Sequence, residues 1–405
     1  MEYPENKALD DLLVVELTTE LWSGIAGSIL GDFGACVVRV ETPHSDRIGN
    51  GGEAPGDGPW DCEAELAHRN KLSVAVNTDE EAGRVVVREL MDKADVVLTD
   101  WPRARLDDHG FDYARATARN ARLIYARGSG FGPLGPDADL PAIDELAAAR
   151  TGMMPILPQP GQPPVYAGAG GMYTAVMLAL GVTLALHHRG ETGEGQEVDA
   201  SLFAANMYGA SLDVQAFLAM GGERFLRPID RTDAGNPMSG VLYPAADGKW
   251  VCLTMPDTER WWPGLAAVVG LDVADPRFDS HDKRCGENRL LMIEVLGQKF
   301  AAHLSSHWKH ELTAHQLSAD VIEEFDYPAN DPQALRNRYI LEVDRPGLGK
   351  VKTVGFPIFM SDTAARLDRA APARGQHTAQ MLHDVLDYSE EQIGDLAERG
   401  IVNRS

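Results

Sequence analysis

The stretch Leu12-Leu13-Val14-Val15-Glu16-Leu17 is mostly apolar and is bounded by polar residues, a pattern typical of a buried β-strand. Small and apolar residues at helical spacing follow from Gly24 to Phe33, and Cys36-Val37-Val38-Arg39-Val40-Glu41 is a second strand-like run. This order of strand, helix and strand predicts a β-α-β unit, which is the building block of a parallel sheet.

The same alternation continues along the chain. Further strands are predicted at residues 72–76, 94–99 and 121–126, and a helix is predicted at residues 80–93. Strands that alternate with helices at this spacing predict an open α/β fold, with a mainly parallel sheet covered by helices on both faces.

The pattern changes after Thr151. Five prolines from Pro155 to Pro164 predict an extended loop, and the 11-residue apolar run Val176–Leu186 predicts a buried helix. Asp247-Gly248 is the predicted turn of a hairpin, and helical sequence follows from Trp261 to Leu317. These changes predict a large domain made of residues 1–214 and 331–405. A smaller α+β domain, residues 215–330, is inserted between these two parts.

The composition excludes several classes of protein. The net charge of −24 argues against a nucleic-acid-binding surface, and the longest apolar run is shorter than the roughly 20 residues of a membrane span. The four cysteines are scattered without metal-ligand spacing, and the polar N-terminus lacks the apolar core of an export signal. We therefore expect a cytoplasmic protein without a membrane partner.

A series of short motifs runs in order along nearly the whole chain. They are Gly31-Asp-Phe-Gly-Ala-Cys-Val-Val-Arg-Val-Glu41, Arg69-Asn-Lys-Leu-Ser-Val74, Gly128-Ser-Gly-Phe-Gly-Pro-Leu-Gly-Pro136, Thr192-Gly-Glu-Gly-Gln-Glu-Val-Asp199 and Arg374-Gly-Gln-His-Thr378. In order and spacing they resemble the family III CoA-transferases, the CaiB/BaiF group. The resemblance implies a split Rossmann-like large domain, an inserted small α+β domain and an interlocked ring-shaped dimer.

The resemblance also identifies what the chain lacks. In transferases of this family an aspartate carboxylate attacks the acyl-CoA thioester, and the corresponding position here is Gly171, in the pair Gly170-Gly171. No Asp, Glu, Ser, Cys or Lys occurs between Glu145 and Arg189 that might replace it. No catalytic nucleophile is therefore predicted.

Asp144 is a weak catalytic candidate. It lies where racemases of the family carry a His-Asp pair, although Ile143 replaces the histidine. The alternative interpretation is an acidic residue at a helix N-terminus, which the helix dipole favours.

The resemblance implies contacts to CoA, as a substrate rather than a permanently bound cofactor, at Arg39, Asn70, Lys71, Trp101, Arg103 and Arg105. Leu72, Asp100 and Asp108 replace polar or basic residues that are usual in the family, which predicts weakened CoA binding. Trp22 lies beside the expected pantetheine position, where it either stacks on a ligand or fills the cavity. The histidines indicate exposed polar helix faces, so no metal site is predicted.

These observations favour the non-catalytic subunit of a heteromeric CoA-transferase, paired with a homologous subunit that carries the aspartate. Its substrates would be an acyl-CoA and a small carboxylic acid, with succinyl-CoA:benzylsuccinate CoA-transferase as the nearest precedent among heteromeric enzymes. Two alternatives remain: a stand-alone acyl-CoA enzyme acting as a racemase, lyase or hydrolase, and a regulatory protein that binds a CoA ligand.

Overall fold

The computed structural model describes residues 7–42, 61–221, 226–345 and 348–403, so the N-terminal residues 1–6 considered above lie outside it. Numbered along the chain, its strands are β1 Leu13–Leu17, β2 Cys36–Glu41, β3 Lys71–Ala75, β4 Val96–Thr99, β5 Ile124–Ser129, β6 Glu197–Ser201, β7 Ser239–Pro244, β8 Trp250–Thr254, β9 Ala319–Ile322, β10 Ile340–Arg345 and β11 Gly349–Val354. Its α-helices are α1 Leu21–Asp32, α2 Cys62–His68, α3 Glu81–Lys93, α4 Arg103–His109, α5 Tyr113–Arg119, α6 Asp144–Ala148, α7 Gly170–Thr192, α8 Leu202–Gly209, α9 Ser211–Met220, α10 Thr258–Val269, α11 Arg289–Phe300, α12 Ser305–Ala314, α13 Pro332–Arg336, α14 Thr378–Leu386 and α15 Glu390–Glu398.

Within these residues, six parallel strands form the main sheet in the order β3-β2-β1-β4-β5-β6. The predicted α/β fold class is therefore confirmed, and β1 and β2 coincide with the two apolar runs that predicted them. Val14 and Val15 are both fully buried although they point to opposite faces of the sheet, which explains why β1 is apolar without alternation.

A hydrophobic core covers each face of this sheet. On one face, residues such as Val14 and Ala126 pack with α1 and α7. On the other face, Val15 and Tyr125 pack with helices α3, α14 and α15. Two consecutive residues of a strand therefore contribute to different cores, and this alternation decides which side chains can share a site.

The C-terminal segment completes the sheet at β3, its edge strand. The His377 backbone N–H donates to the Ser73 carbonyl at 2.9 Å, and the Ala75 N–H donates to Thr378 Oγ1 at 3.0 Å. Val76 and Val402 form an antiparallel bridge just beyond the end of the strand. N-terminal and C-terminal segments of the chain therefore belong to the same domain.

The chain divides into two compact units. The first contains the described parts of Met1–Met154, Tyr166–Met220 and Pro332–Ser405, and the second contains those of Pro155–Val165 and Gly221–Asp331. The predicted bounds left residues 155–165 in the large domain.

The second unit has an antiparallel sheet in the order β7-β8-β9 and its own hydrophobic core. The hairpin turn lies where it was predicted, with Gly248 at φ 84°. The helical sequence predicted from Trp261 to Leu317 is divided, because Gly270 adopts a left-handed conformation and ends α10. A short π-helix, Lys283–Glu287, then precedes α11.

Helix α7 is only half buried. Ala175, Leu178 and Val182 face the core, whereas Val176 and Leu180 are exposed. Among the described residues it is also the one helix long and apolar enough to cross a bilayer, but 44% of its most apolar window is buried in the structure. The prediction of a buried helix is therefore correct for one side of α7. The other side exposes a row of apolar side chains to solvent.

Candidate active site

The candidate site lies where the strand order reverses, between β1 and its neighbour β4. In open α/β sheets this is the point at which ligands enter, because the loops that leave two neighbouring strands diverge there. The chain leaves β1 through Thr18–Glu20 and leaves β4 through Asp100 and Trp101, so these residues form the rim of the crevice.

Asp100 holds the start of α1. Its buried carboxylate accepts hydrogen bonds from the backbone N–H of Thr19 at 2.9 Å and of Glu20 at 2.7 Å, and from the hydroxyl of Ser23. Burial raises the pKa of Asp100, while these donors act in the opposite direction. The residue that replaces the usual asparagine is therefore engaged within the chain as a cap for α1.

Glu20 is a second perturbed acid on this rim. Burial, and secondarily the negative charge of Asp100, raises its pKa from 4.5 to about 7. The side chain is half-buried and therefore changes charge near neutral pH.

We expect Glu20→Gln to stabilise the protein by about 1 kcal/mol at pH 8.5 and to have little effect at pH 4.5. The folded state binds more protons than the unfolded state between pH 4.5 and about 7, so the wild type loses stability as the pH rises through this window. Thermal unfolding of both proteins across the range measures the difference, with Glu63→Gln, at a partly buried glutamate of α2, as control. A stabilisation independent of pH would contradict this role of Glu20.

Trp22 fills the space beside Gly171, the position at which the resemblance places the nucleophile. The indole is 5% exposed and packs between β5 and the first turn of α7. A Cβ atom on Gly128 would lie 2.5 Å from the indole ring, and one on Gly171 would lie 3.2 Å from Trp22 Cβ. The two glycines thus leave room for this one large side chain, and Trp22 plugs the space rather than forming an open stacking surface.

Asp144 lies at the same helix start. Its Oδ2 accepts hydrogen bonds from the Gly171 N–H at 3.1 Å and from the Tyr166 hydroxyl at 2.6 Å, and its Oδ1 accepts one from Asn206 Nδ2 at 2.7 Å. Burial and the hydrogen bond to Asp144 raise the pKa of Tyr166, which therefore stays protonated as a donor. Asp144 begins α6, as its helix-start interpretation predicted, and in addition it caps α7.

The first three predicted CoA contacts are buried and paired within the chain. Arg39 NH1 lies 2.8 Å from Glu41 Oε1, and Lys71 Nζ lies 2.5 Å from Glu16 Oε2. Asn70 Nδ2 donates to Asp32 Oδ1 at 2.8 Å. Burial lowers the pKa of Lys71 to about 8, although Glu16 acts in the opposite direction. Their contact with CoA stays a prediction.

The other three predicted contacts follow β4. The guanidinium of Arg105 lies 3.5 Å from the ring centroid of Trp101, which is itself 1% exposed. Arg103 instead donates from NH2 to the Pro133 carbonyl at 2.8 Å. The structure therefore pairs Trp101 with Arg105 but leaves Arg103 out of that pair.

Several site residues were not identified from the sequence. Glu16 bonds to Lys71, 55 residues away in sequence, and Tyr166 and Asn206 bond to Asp144, 22 and 62 residues away, so no local pattern marks them. Within the described ranges, no group of three or more His, Cys, Asp or Glu side chains is arranged to hold a metal ion.

Comparison with known proteins assigns the family. The model of CoA-transferase family III matches residues 9–378. The chain belongs to this family. Succinyl-CoA--D-citramalate CoA-transferase of Chloroflexus aurantiacus is 29% identical over 98% of both chains. Cinnamoyl-CoA:phenyllactate CoA-transferase of Clostridium sporogenes is 26% identical over 95% of this chain and 94% of its own. The crystal structure of a CAIB/BAIF family protein from Brucella suis superposes with a TM-score of 0.82 at 26% identity, covering 94% of this chain and 100% of that one.

Proposed function

We propose that this family III CoA-transferase chain is the non-catalytic subunit of a heteromer. Its partner would be a homologous subunit with the nucleophilic aspartate, and the assembly would move CoA between an acyl-CoA and a small carboxylic acid in the cytoplasm. The observation that carries the proposal is the Trp22 plug against Gly171: the carboxylate is missing, and its space is filled by a buried indole.

The uncovered apolar surface of the first unit supports an obligate partner. On α7 it consists of Tyr173, Val176, Leu180 and Leu184, and α9 has no buried residue at all. Several large apolar side chains exposed on one face of a helix often mark a protein interface. The interlocked dimer implied by the family resemblance would cover such a surface.

The electrostatics also favour different roles for the two subunits in substrate binding. Arg39 and Lys71 are neutralised by Glu41 and Glu16, and the net charge of the whole chain is −24. A CoA diphosphate gains most from cations that lack a carboxylate partner. The tighter binding of the anionic substrate would therefore fall to the partner subunit, while this chain completes its fold and binds CoA more weakly.

The substrate class is proposed from the relatives. Their names pair succinyl-CoA with D-citramalate and cinnamoyl-CoA with phenyllactate. We propose an acyl-CoA and a carboxylic acid for this assembly, with succinyl-CoA and an aromatic dicarboxylate as the first pair to assay.

The test is expression of the chain alone and together with the homologous CoA-transferase chains encoded by the same genome. Native mass spectrometry reads the stoichiometry, and chromatography of CoA esters reads acyl exchange. We expect exchange only in a complex that contains both kinds of subunit. A homodimer of this chain with a turnover comparable to a complete enzyme would overturn the proposal.

A second candidate function is a stand-alone acyl-CoA enzyme that uses Asp144. It is favoured by the Asp144 carboxylate, which lies 3.1 Å from the Gly171 N–H at the start of a 23-residue helix. If Asp144 is the acting group, any acyl-CoA turnover or proton exchange by the chain alone should fall about 100-fold or more in Asp144→Asn. The control variant Glu145→Gln, at the exposed neighbouring residue, should leave the turnover unchanged. Retained turnover in Asp144→Asn would exclude this candidate.

A further inference from the structure

A second cavity lies on the face of the main sheet opposite Trp22. Gly128 contacts Trp22, whereas its neighbour Arg127 points to the other face, because successive residues of a strand alternate. We call this cavity, of about 220 Å³, the Arg127 pocket. It is lined by Arg103, Leu106, Tyr113, Tyr125 and Arg127, with acidic residues at its rim. It is separate from the space around Gly171.

Arg127 is a buried cation with few partners. The residue is 5% exposed, and the nearest carboxylate among the described residues is Asp199, whose Oδ2 lies 3.4 Å from NH1. Its Nε–H is buried and has no hydrogen-bond partner. Burial lowers the pKa of Arg127; the negative charge of Asp199 acts in the opposite direction, and the positive charge of Arg103 adds to the effect of burial. A buried guanidinium with an unsatisfied donor costs free energy, so an anion in the adjoining cavity would stabilise Arg127 by accepting a hydrogen bond from it.

The rest of the lining is apolar. The rings of Tyr113 and Tyr125 meet edge to face with their centroids 5.7 Å apart, and Leu106 is buried beside them. The Tyr125 hydroxyl already donates to the Phe111 carbonyl at 2.8 Å, so its ring rather than its hydroxyl is available to a ligand. The volume is that of about seven water molecules, which suits a ligand of about ten non-hydrogen atoms.

The rim limits the charge that a ligand can carry. Asp107 and Glu197 are exposed carboxylates at the mouth of the pocket. Asp112 is occupied, because it caps α5 through the Arg115 N–H at 3.1 Å and pairs with the guanidinium of Arg115. An anionic group deep in the pocket would meet two arginines, whereas a second anionic group would be repelled at the rim.

We infer that the Arg127 pocket binds a small monocarboxylate, with the carboxylate at Arg127 and Arg103 and the apolar body against Tyr113 and Tyr125. Aromatic and aliphatic monocarboxylates share this chemistry. Benzoate and butyrate distinguish the two, because the tyrosine rings favour the flat aromatic body.

The test is isothermal titration of the full chain, in its native oligomeric state, with benzoate, butyrate, phthalate and inorganic phosphate. We expect saturable binding of benzoate, weaker binding of butyrate, and at least about tenfold weaker binding of phthalate and phosphate. Arg103→Gln should weaken benzoate binding about tenfold, since it removes one charged donor from a partly exposed wall. Arg119→Gln, which lies on α5 and pairs with Asp92, is the matched control and should bind like the wild type.

Arg127→Met should abolish binding, and circular dichroism checks that its fold is retained. If that variant does not fold, Tyr113→Ala provides the second measurement, because it removes the aromatic wall and leaves both arginines. Benzoate affinity unchanged in Arg103→Gln and Tyr113→Ala would overturn the inference. Phthalate or phosphate binding as tightly as benzoate would overturn it as well.

Discussion

A chain that carries both Trp22→Ala and Gly171→Asp is expected to catalyse CoA exchange, whereas Gly171→Asp alone is expected to remain inactive. In the single variant the new side chain would extend toward Trp22, whose Cβ lies 3.2 Å and Cγ 3.5 Å from the added Cβ. Removal of the indole opens the space in which a carboxylate and a thioester would meet. The exchange rate of the double variant should exceed that of the wild type by about 100-fold or more, since a covalent route becomes available.

The chemistry provides a direct readout of this result. The new carboxylate would attack the thioester carbonyl and release CoA as the thiolate, and the thiolate would then attack the aspartyl carbonyl of the mixed anhydride and release the donor acid. The remaining aspartyl-CoA thioester adds the mass of CoA less one water to the chain, which intact-protein mass spectrometry detects. Trp22→Ala/Gly171→Asn is the matched control, because asparagine has the same shape but is a poor nucleophile.

Stability must be measured alongside activity, because loss of a buried tryptophan costs about 3–5 kcal/mol. Thermal unfolding of Trp22→Ala identifies a temperature at which the variants remain folded. Full activity of Gly171→Asp alone would show that Trp22 does not close the site. An inactive double variant that is folded and binds acyl-CoA would show that Gly171 is not the nucleophile position.

Lys71→Met is expected to lower the free energy of unfolding by about 3–5 kcal/mol. Lys71 and Glu16 are both 0% exposed, and their charged atoms lie 2.5 Å apart. Lys71 Nζ also donates to the Gly24 carbonyl at 2.7 Å, which ties β3 to α1. Without Lys71, the Glu16 carboxylate would be left buried and uncompensated.

Urea unfolding measures this effect. Lys93→Met is the control, because Lys93 is exposed at the end of α3, and it should change the stability by less than about 0.5 kcal/mol. Glu16→Gln/Lys71→Met removes both charges and should recover part of the loss. A loss below about 1 kcal/mol in Lys71→Met would show that the pair is not a structural element and would favour a role for Lys71 in ligand binding.

The elements that the sequence predicted well are those whose signal is local. β2 matches the apolar run Cys36–Glu41, and α3 begins one residue after the predicted start at Glu80. Both depend on hydrophobic periodicity within a short window. The helix predicted across residues 261–317 was not continuous, because Gly270 ends α10.

The interaction partners of the site residues could not be predicted from local sequence patterns. Lys71 suggested a phosphate contact from its place in a motif, but its actual partner, Glu16, lies 55 residues earlier in the chain. Likewise, Trp22 left two interpretations open, and only the positions of Gly128 and Gly171 in space show that the indole is enclosed. Pairing of charges and filling of space depend on the tertiary arrangement, which local sequence patterns do not display.

The C-terminal segment that closes β3 has a consequence for synthesis on the ribosome. β3 ends at Ala75, but the residues that cover its edge, His377, Thr378 and Val402, emerge more than 300 residues later. At about 5–20 residues per second, the 302 residues that separate His377 from Ala75 take about 15–60 s to translate. We therefore expect the edge of the nascent sheet to be exposed for that time, which makes this chain dependent on chaperones or on an early-binding partner during translation.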